Sequence, residues 1–79
     1  MLLMHGTSGK SYFVDAIALS KDDQQILLAR GIAPGAQLKI LQHRPSGCLI
    51  IRCQTSRFAL GRYYTAGIHV HPLQGGQRI

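Results

Sequence analysis

The chain has no glutamate and no tryptophan, and its acids are three aspartates, Asp15, Asp22 and Asp23, set against nine Lys+Arg. A hydrolase or acid–base enzyme needs paired carboxylates, or a nucleophile with an adjacent base, and so sparse an acid complement does not supply them. A Gly-rich phosphate loop is also missing, since Gly31 and Gly35 bracket a turn and form no P-loop or dinucleotide motif. The sequence therefore reads as non-enzymatic, with no cofactor. Cysteine is scarce too: Cys48 and Cys53 are too few for a disulfide framework, and their C-x-x-x-x-C spacing is neither a redox motif nor half of a zinc site. In a reducing compartment they are small apolar residues. No apolar run approaches the ~20 residues that span a bilayer, and Met1–Met4 is too short for a secretory signal before His5 and Gly6. From these absences a cytoplasmic protein is expected.

What is present is a strongly basic, apolar-rich chain of one domain's length: 79 residues, 46% hydrophobic, with a formal net charge of +6 and a pI near 10.0. A chain this short buries only about 60% of its unfolded surface, so it has room for one core. Its positive surface attracts acidic or phosphate-rich partners, whether nucleic acid, the anionic cytoplasmic leaflet or an acidic protein face.

Along the chain, residues 1–11 carry Gly6, Thr7, Ser8 and Gly9 without periodicity and read as a loose N-terminal arm. Tyr12–Leu19 alternates as a first strand, with Phe13, Ile17 and Leu19 on one face and Tyr12, Val14, Ala16 and Ala18 on the other. Ser20 then opens a helix: its hydroxyl can cap the N–H of Asp23, and Asp22 and Asp23 lie at the positive end of the helix dipole. That helix is expected to run to Arg30, with Gly31 as its left-handed stop and Pro34 preventing its resumption. Ala36–His43 alternates with Leu38 and Ile40 inward, Pro45–Gly47 marks a hairpin, and Cys48–Gln54 places Leu49, Ile51 and Cys53 on one face. Arg57–Leu60 is a short strand with Phe58 and Leu60 inward, Gly61–Gly67 holds one helical turn, and Ile68–His71 alternates until Pro72. Residues 73–79 read as a frayed tail.

The expected fold is mainly β. About five short strands, one short α-helix after the first and a helical turn before the last are too little for two packed sheets, and a bent sheet closing into a small SH3-like barrel over residues 12–72 removes its own edges.

Two constellations could carry binding chemistry. His69 and His71 lie two apart on one strand face and could chelate a transition metal together with His43 or a cysteine. No carboxylate backs the pair in sequence, and two solvated histidines on an end strand are the plainer reading. The cations Lys39, Arg44, Arg52, Arg57 and Arg62, with Tyr63 and Tyr64 nearby, resemble the stacking-plus-cation surface of single-strand nucleic-acid binders. They fall in different turns and on both faces, which favours a solvated basic surface and no nucleic acid as the partner. A nucleic-acid-binding small barrel and a metal-sensing or regulatory domain stand as the alternatives.

Leu27–Gly35 reads L-L-A-R-G-I-A-P-G and is followed by Leu38 and Ile40; after the hairpin come Leu49–Ile51, F-A-L at Phe58–Leu60, Ala66 and I-H-V at Ile68–Val70. This pattern resembles the FeoA family over roughly Tyr12–Pro72. The chain departs from it at Arg30, where the family is usually apolar, at Gly61, and in a gap one residue shorter before Ile68. The resemblance implies a small cytoplasmic SH3-like accessory of bacterial ferrous-iron uptake. Its implied partner is FeoB, the membrane permease with a cytoplasmic GTP-binding domain, which would hold it at the membrane periphery. Leu28, Arg30, Ile32, Arg57, Arg62 and Tyr63 are the candidate docking residues, with Leu27, Leu28 and Ile32 expected to cover one mouth of the barrel. Pairing between copies through exposed strand edges is left open.

Overall fold

The computed structural model describes residues 1–73; the expected tail beyond Leu73 lies outside the described residues. Five antiparallel strands form one sheet: β1 (Ser11–Ile17), β2 (Gln37–His43), β3 (Leu49–Cys53), β4 (Ser56–Leu60) and β5 (Ile68–Pro72), in the order β4-β3-β2-β1-β5. Helix α1 (Lys21–Leu28) follows β1, and the single turn α2 (Arg62–Thr65) joins β4 to β5. This is the mainly β arrangement expected of a small SH3-like barrel. β4 and β5 end the strand order, and α2 bridges them.

Alternation builds the core. Leu38 and Ile40 of β2, Leu49, Ile51 and Cys53 of β3, and Ile68 and Val70 of β5 are all buried, and each such aliphatic side chain contributes roughly 1.5–3 kcal/mol on leaving water. Strand β1 buries Tyr12 and Val14, and the register slips between Val14 and Ala16, so that Val14 faces Val70, Ala16 faces His69 and Ile17 faces Ile68. The bulge explains why no single alternation of Tyr12–Leu19 describes the strand. It ends at Ile17, two residues earlier than expected, as the Ala18 N–H turns to the carbonyl of Gly67 (2.7 Å). A second slip, between Ile40 and Gln42, interrupts the alternation of β2, and Leu41 at that slip is half-buried.

Helix α1 begins as predicted, with the Asp23 N–H donating to Ser20 Oγ at 3.2 Å and the Ser20 hydroxyl donating to Asp23 Oδ2 at 3.0 Å. It stops at Leu28, short of Arg30, because the N–H of Ile32 already turns back to the Leu27 carbonyl (2.9 Å) across a left-handed Gly31 (φ +86°). Pro34 and Gly35 (φ +93°) then fill the centre of a turn closed by the Ala36 N–H on the Ala33 carbonyl at 2.9 Å, the geometry that needs glycine third. The chain re-enters the sheet as the Val14 N–H donates to Ala36 and the Gly35 N–H to Val14, both at 2.8 Å.

Residues 1–11 are not a loose arm. Leu2 bridges to His69, the Met1 ammonium donates to the Val70 carbonyl (3.0 Å), and the Val70 N–H donates to the Met1 carbonyl (2.7 Å). A 3-10 turn, Leu3–His5, then drops Leu3 into the core, fully buried, against β5 and α2. Downstream, the Thr7 N–H donates to the Tyr12 hydroxyl (2.8 Å), the Gly9 N–H to the Ile40 carbonyl (2.7 Å), and Nε2–H of His43 to the Gly6 carbonyl (2.8 Å). Pairing along the outer edge of β5 satisfies backbone groups that a free strand edge would leave to solvent.

Candidate functional site

Of the six candidate docking residues, five divide among four surface locations and one is buried. Leu28 and Arg30 lie at the C-terminal end of α1, where Leu28 is 53% exposed and the Arg30 guanidinium sits 5.1 Å above the Phe58 ring, a cation–π distance. Tyr63, 63% exposed, reaches from α2 to the start of α1 and donates its hydroxyl to Asp23 Oδ2 at 2.5 Å. Arg62 lies along the β2–β3 hairpin, close to Gly47. Arg57 stands on the outer face of the sheet, opposite Arg52. Ile32 is a correction: it is fully buried, because the Gly31 reversal folds it back over the helix end, and it has no surface to offer a partner. Of the three residues expected to cover a barrel mouth, Leu27 and Ile32 are buried in the core and Leu28 faces solvent.

Helix α1 leaves large apolar side chains in water on both flanks of its buried stripe. Ile26 (49% exposed) and Leu28 flank the buried Leu27, with Arg30 one turn beyond Ile26. Ile26 was not singled out in the sequence. Its signal was available, since a short helix between two barrel strands has one inward stripe and Leu27 fills it.

A second surface crosses the sheet. Ser11 pairs with Lys39, Lys39 with Arg52, and Arg52 with Arg57, a continuous row over β1, β2, β3 and β4. Buried neighbours on each strand, Tyr12, Leu38, Ile40, Ile51 and Cys53, fix this row on the outer face. A groove of about 390 Å³ runs beside it, with Ser11, Gln37, Lys39, Arg52 and Gln54 among its walls. Sequence reasoning placed Lys39, Arg52 and Arg57 in separate elements; the register makes them neighbours.

The histidines do not converge. His43 is held by the Gly6 carbonyl, while Nδ1 of His71 lies 2.5 Å from Asp15 Oδ1, with its ring tilted against Phe13. Asp15 comes from the β1 bulge, so the carboxylate missing beside His71 in sequence is supplied by the fold. Among the described residues no group of three or more His, Cys, Asp or Glu could hold a metal ion. Cys53 is buried, its Sγ against the carbonyls of Gly31 (3.5 Å) and Gln37 (3.6 Å), and burial pushes its thiol pKa up. Cys48 is half-buried and free. The aromatics are dispersed as well: Phe58 lies under Arg30, Phe13 against His71 and Tyr64 edge-on to Tyr63. Among the described residues no helix is long and apolar enough to cross a membrane.

Comparison with known proteins gives this architecture relatives. The FeoA domain profile matches residues 1–72, and no curated protein matches the chain. Among solved structures, the FeoA protein of Chlorobium tepidum is 28% identical with a TM-score of 0.86, covering 98% of this chain and 74% of its own. A crystal structure described as an iron uptake regulatory protein (FeoA) is 29% identical with a TM-score of 0.85, covering 92% and 97%. The iron(II) transport protein A of Clostridium thermocellum shares the fold at 22% identity and a TM-score of 0.84, covering 96% of this chain and 47% of its own. With the family profile spanning the N-terminal segment and all five strands, the chain belongs to the FeoA family.

Proposed function

We propose that this protein is a non-enzymatic accessory of bacterial ferrous-iron uptake, acting in the cytoplasm by docking onto the cytoplasmic part of a FeoB-type GTP-binding permease. The observation that carries the reading is the family match over residues 1–72, with relatives described as an iron(II) transport protein and an iron uptake regulatory protein. Two surface features support it. Large apolar side chains at Ile26 and Leu28 stay in water beside Arg30, the composition of a recognition surface. The excess positive charge suits an acidic protein face.

The test is capture of the detergent-solubilised permease by the immobilised chain at low salt, with Arg62→Glu and Leu28→Ala as comparison variants. Retention of the permease by the native chain and its reduction by Leu28→Ala is the expected result. No retention at low salt overturns the proposal.

A further inference from the structure

The row Lys39, Arg52 and Arg57 is a set of like charges placed directly opposite one another, with neighbouring Cβ positions about 5 Å apart. Such an arrangement is unfavourable in the free protein, and among the described residues no carboxylate relieves it. All three aspartates are elsewhere: Asp15 is with His71, Asp23 is with Ser20 and Tyr63, and Asp22 is in the first turn of α1. Among the described residues the one close contact between a carboxylate and a basic side chain is His71–Asp15, so no described Lys or Arg is paired with an acid. The adjoining groove adds neutral donors, the hydroxyl of Ser11 and the amides of Gln37 and Gln54, and brings no negative charge.

We propose that the Lys39–Arg52–Arg57 row is the docking site for an extended acidic segment of a protein partner; identifying that partner as the permease rests on the function proposed above. A segment lying across the strands, with Asp or Glu at alternate positions, presents same-side carboxylates about 7 Å apart. Two of them straddle three cations, and the arginines offer planar forks for bidentate pairing. A nucleic-acid strand would want exposed aromatic faces among the cations, and none stands in this row. A membrane surface would want well-exposed apolar side chains beside the charges; the apolar residues on the outer face beside the row, Phe13 and Ile50, are half-buried, and the exposed large hydrophobics Met1, Ile26, Leu28 and Tyr63 all lie outside the strands that carry it.

The experiment measures affinity for a fluorescein-labelled peptide of alternating Glu and Ala, and for the solubilised permease, with native chain, Arg52→Glu and Leu28→Ala. Peptide binding should fall steeply with salt, and Arg52→Glu should weaken it by roughly tenfold or more. Leu28→Ala should leave peptide binding unchanged. The same Arg52→Glu substitution should raise the thermal unfolding midpoint, since it places an anion between Lys39 and Arg57, an opposite movement of stability and binding that a merely structural role would not give. Peptide affinity unchanged in Arg52→Glu, an unfolding midpoint that does not rise, or tighter row-dependent binding of single-stranded RNA or phosphatidylglycerol vesicles overturns the proposal. Peptide capture without permease capture would support the row and remove the permease as partner. Permease capture untouched by Arg52→Glu would support docking and overturn the row.

Discussion

The hydroxyl of Tyr63 donates to Oδ2 of Asp23 at 2.5 Å, the same carboxylate oxygen to which Ser20 donates its hydroxyl at the N-cap of α1. One aspartate therefore fastens α2 to α1 while completing the helix start. Tyr63→Phe should accordingly lower the unfolding midpoint modestly. The hydrogen bond to Asp23, followed by the charge of Asp23, raises the phenol pKa above its ordinary value of 10.0. A raised folded-state pKa gives stability that is fully present below pH 10.0 and lost as pH climbs through the higher folded value. Thermal melts from neutral to strongly alkaline pH should show a shallower alkaline decline for Tyr63→Phe than for the native chain. Parallel declines would remove the link.

Ile32 and Leu28 should separate folding from docking. Ile32→Ala deletes a fully buried side chain and should cost about 2–5 kcal/mol, a large share of the ~5–15 kcal/mol that holds a domain. Leu28→Ala, at a residue 53% exposed, should change stability by less than about 0.5 kcal/mol while weakening permease capture. Urea unfolding alongside capture reads both quantities.

Leu3→Ala tests whether the N-terminal segment belongs to the domain. Leu3 is fully buried against β5 and α2, so the loss should again be about 2–5 kcal/mol, or roughly 8 °C or more of midpoint in a domain of this size. A midpoint within a degree or two of native would mean that residues 1–11 contribute nothing.

The two cysteines should react at different rates. Cys48 is half-buried and Cys53 is buried with a raised thiol pKa, and the thiolate is the reactive form. Iodoacetamide with mass-spectrometric readout should label Cys48 first and reach Cys53 only on unfolding. Because burial raises the Cys53 pKa from 9.0, its contribution to stability is fully present below that pH and fades as pH rises through the folded value. Cys53→Ala should lose that part of the alkaline slope.

The strand and helix pattern was legible in the sequence because each element obeys local rules: alternation in β2, β3 and β5, the Ser20 cap, and the Gly31 and Pro34–Gly35 stops. The Leu27–Gly35 motif also identified the family, as its turn chemistry and spacing are written residue by residue. Irregular pieces were less readable. A bulge at Val14/Ala16 changes which residues face inward, and the packing of Leu3 depends on an edge of β5 formed nearly 70 positions later.

Sequence alone determined the basic balance, the scarcity of acids and the element order, since these are properties of composition and short-range pattern. Tertiary structure decided which charges meet. Strand register set Lys39, Arg52 and Arg57 side by side and drew Asp15 to His71, the packing of α2 against α1 brought Tyr63 to Asp23, and the Gly31 reversal took Ile32 off the surface. The reason is that cross-strand neighbours are chosen by register, and register is fixed by the burial of the opposite face, which no local stretch of sequence encodes.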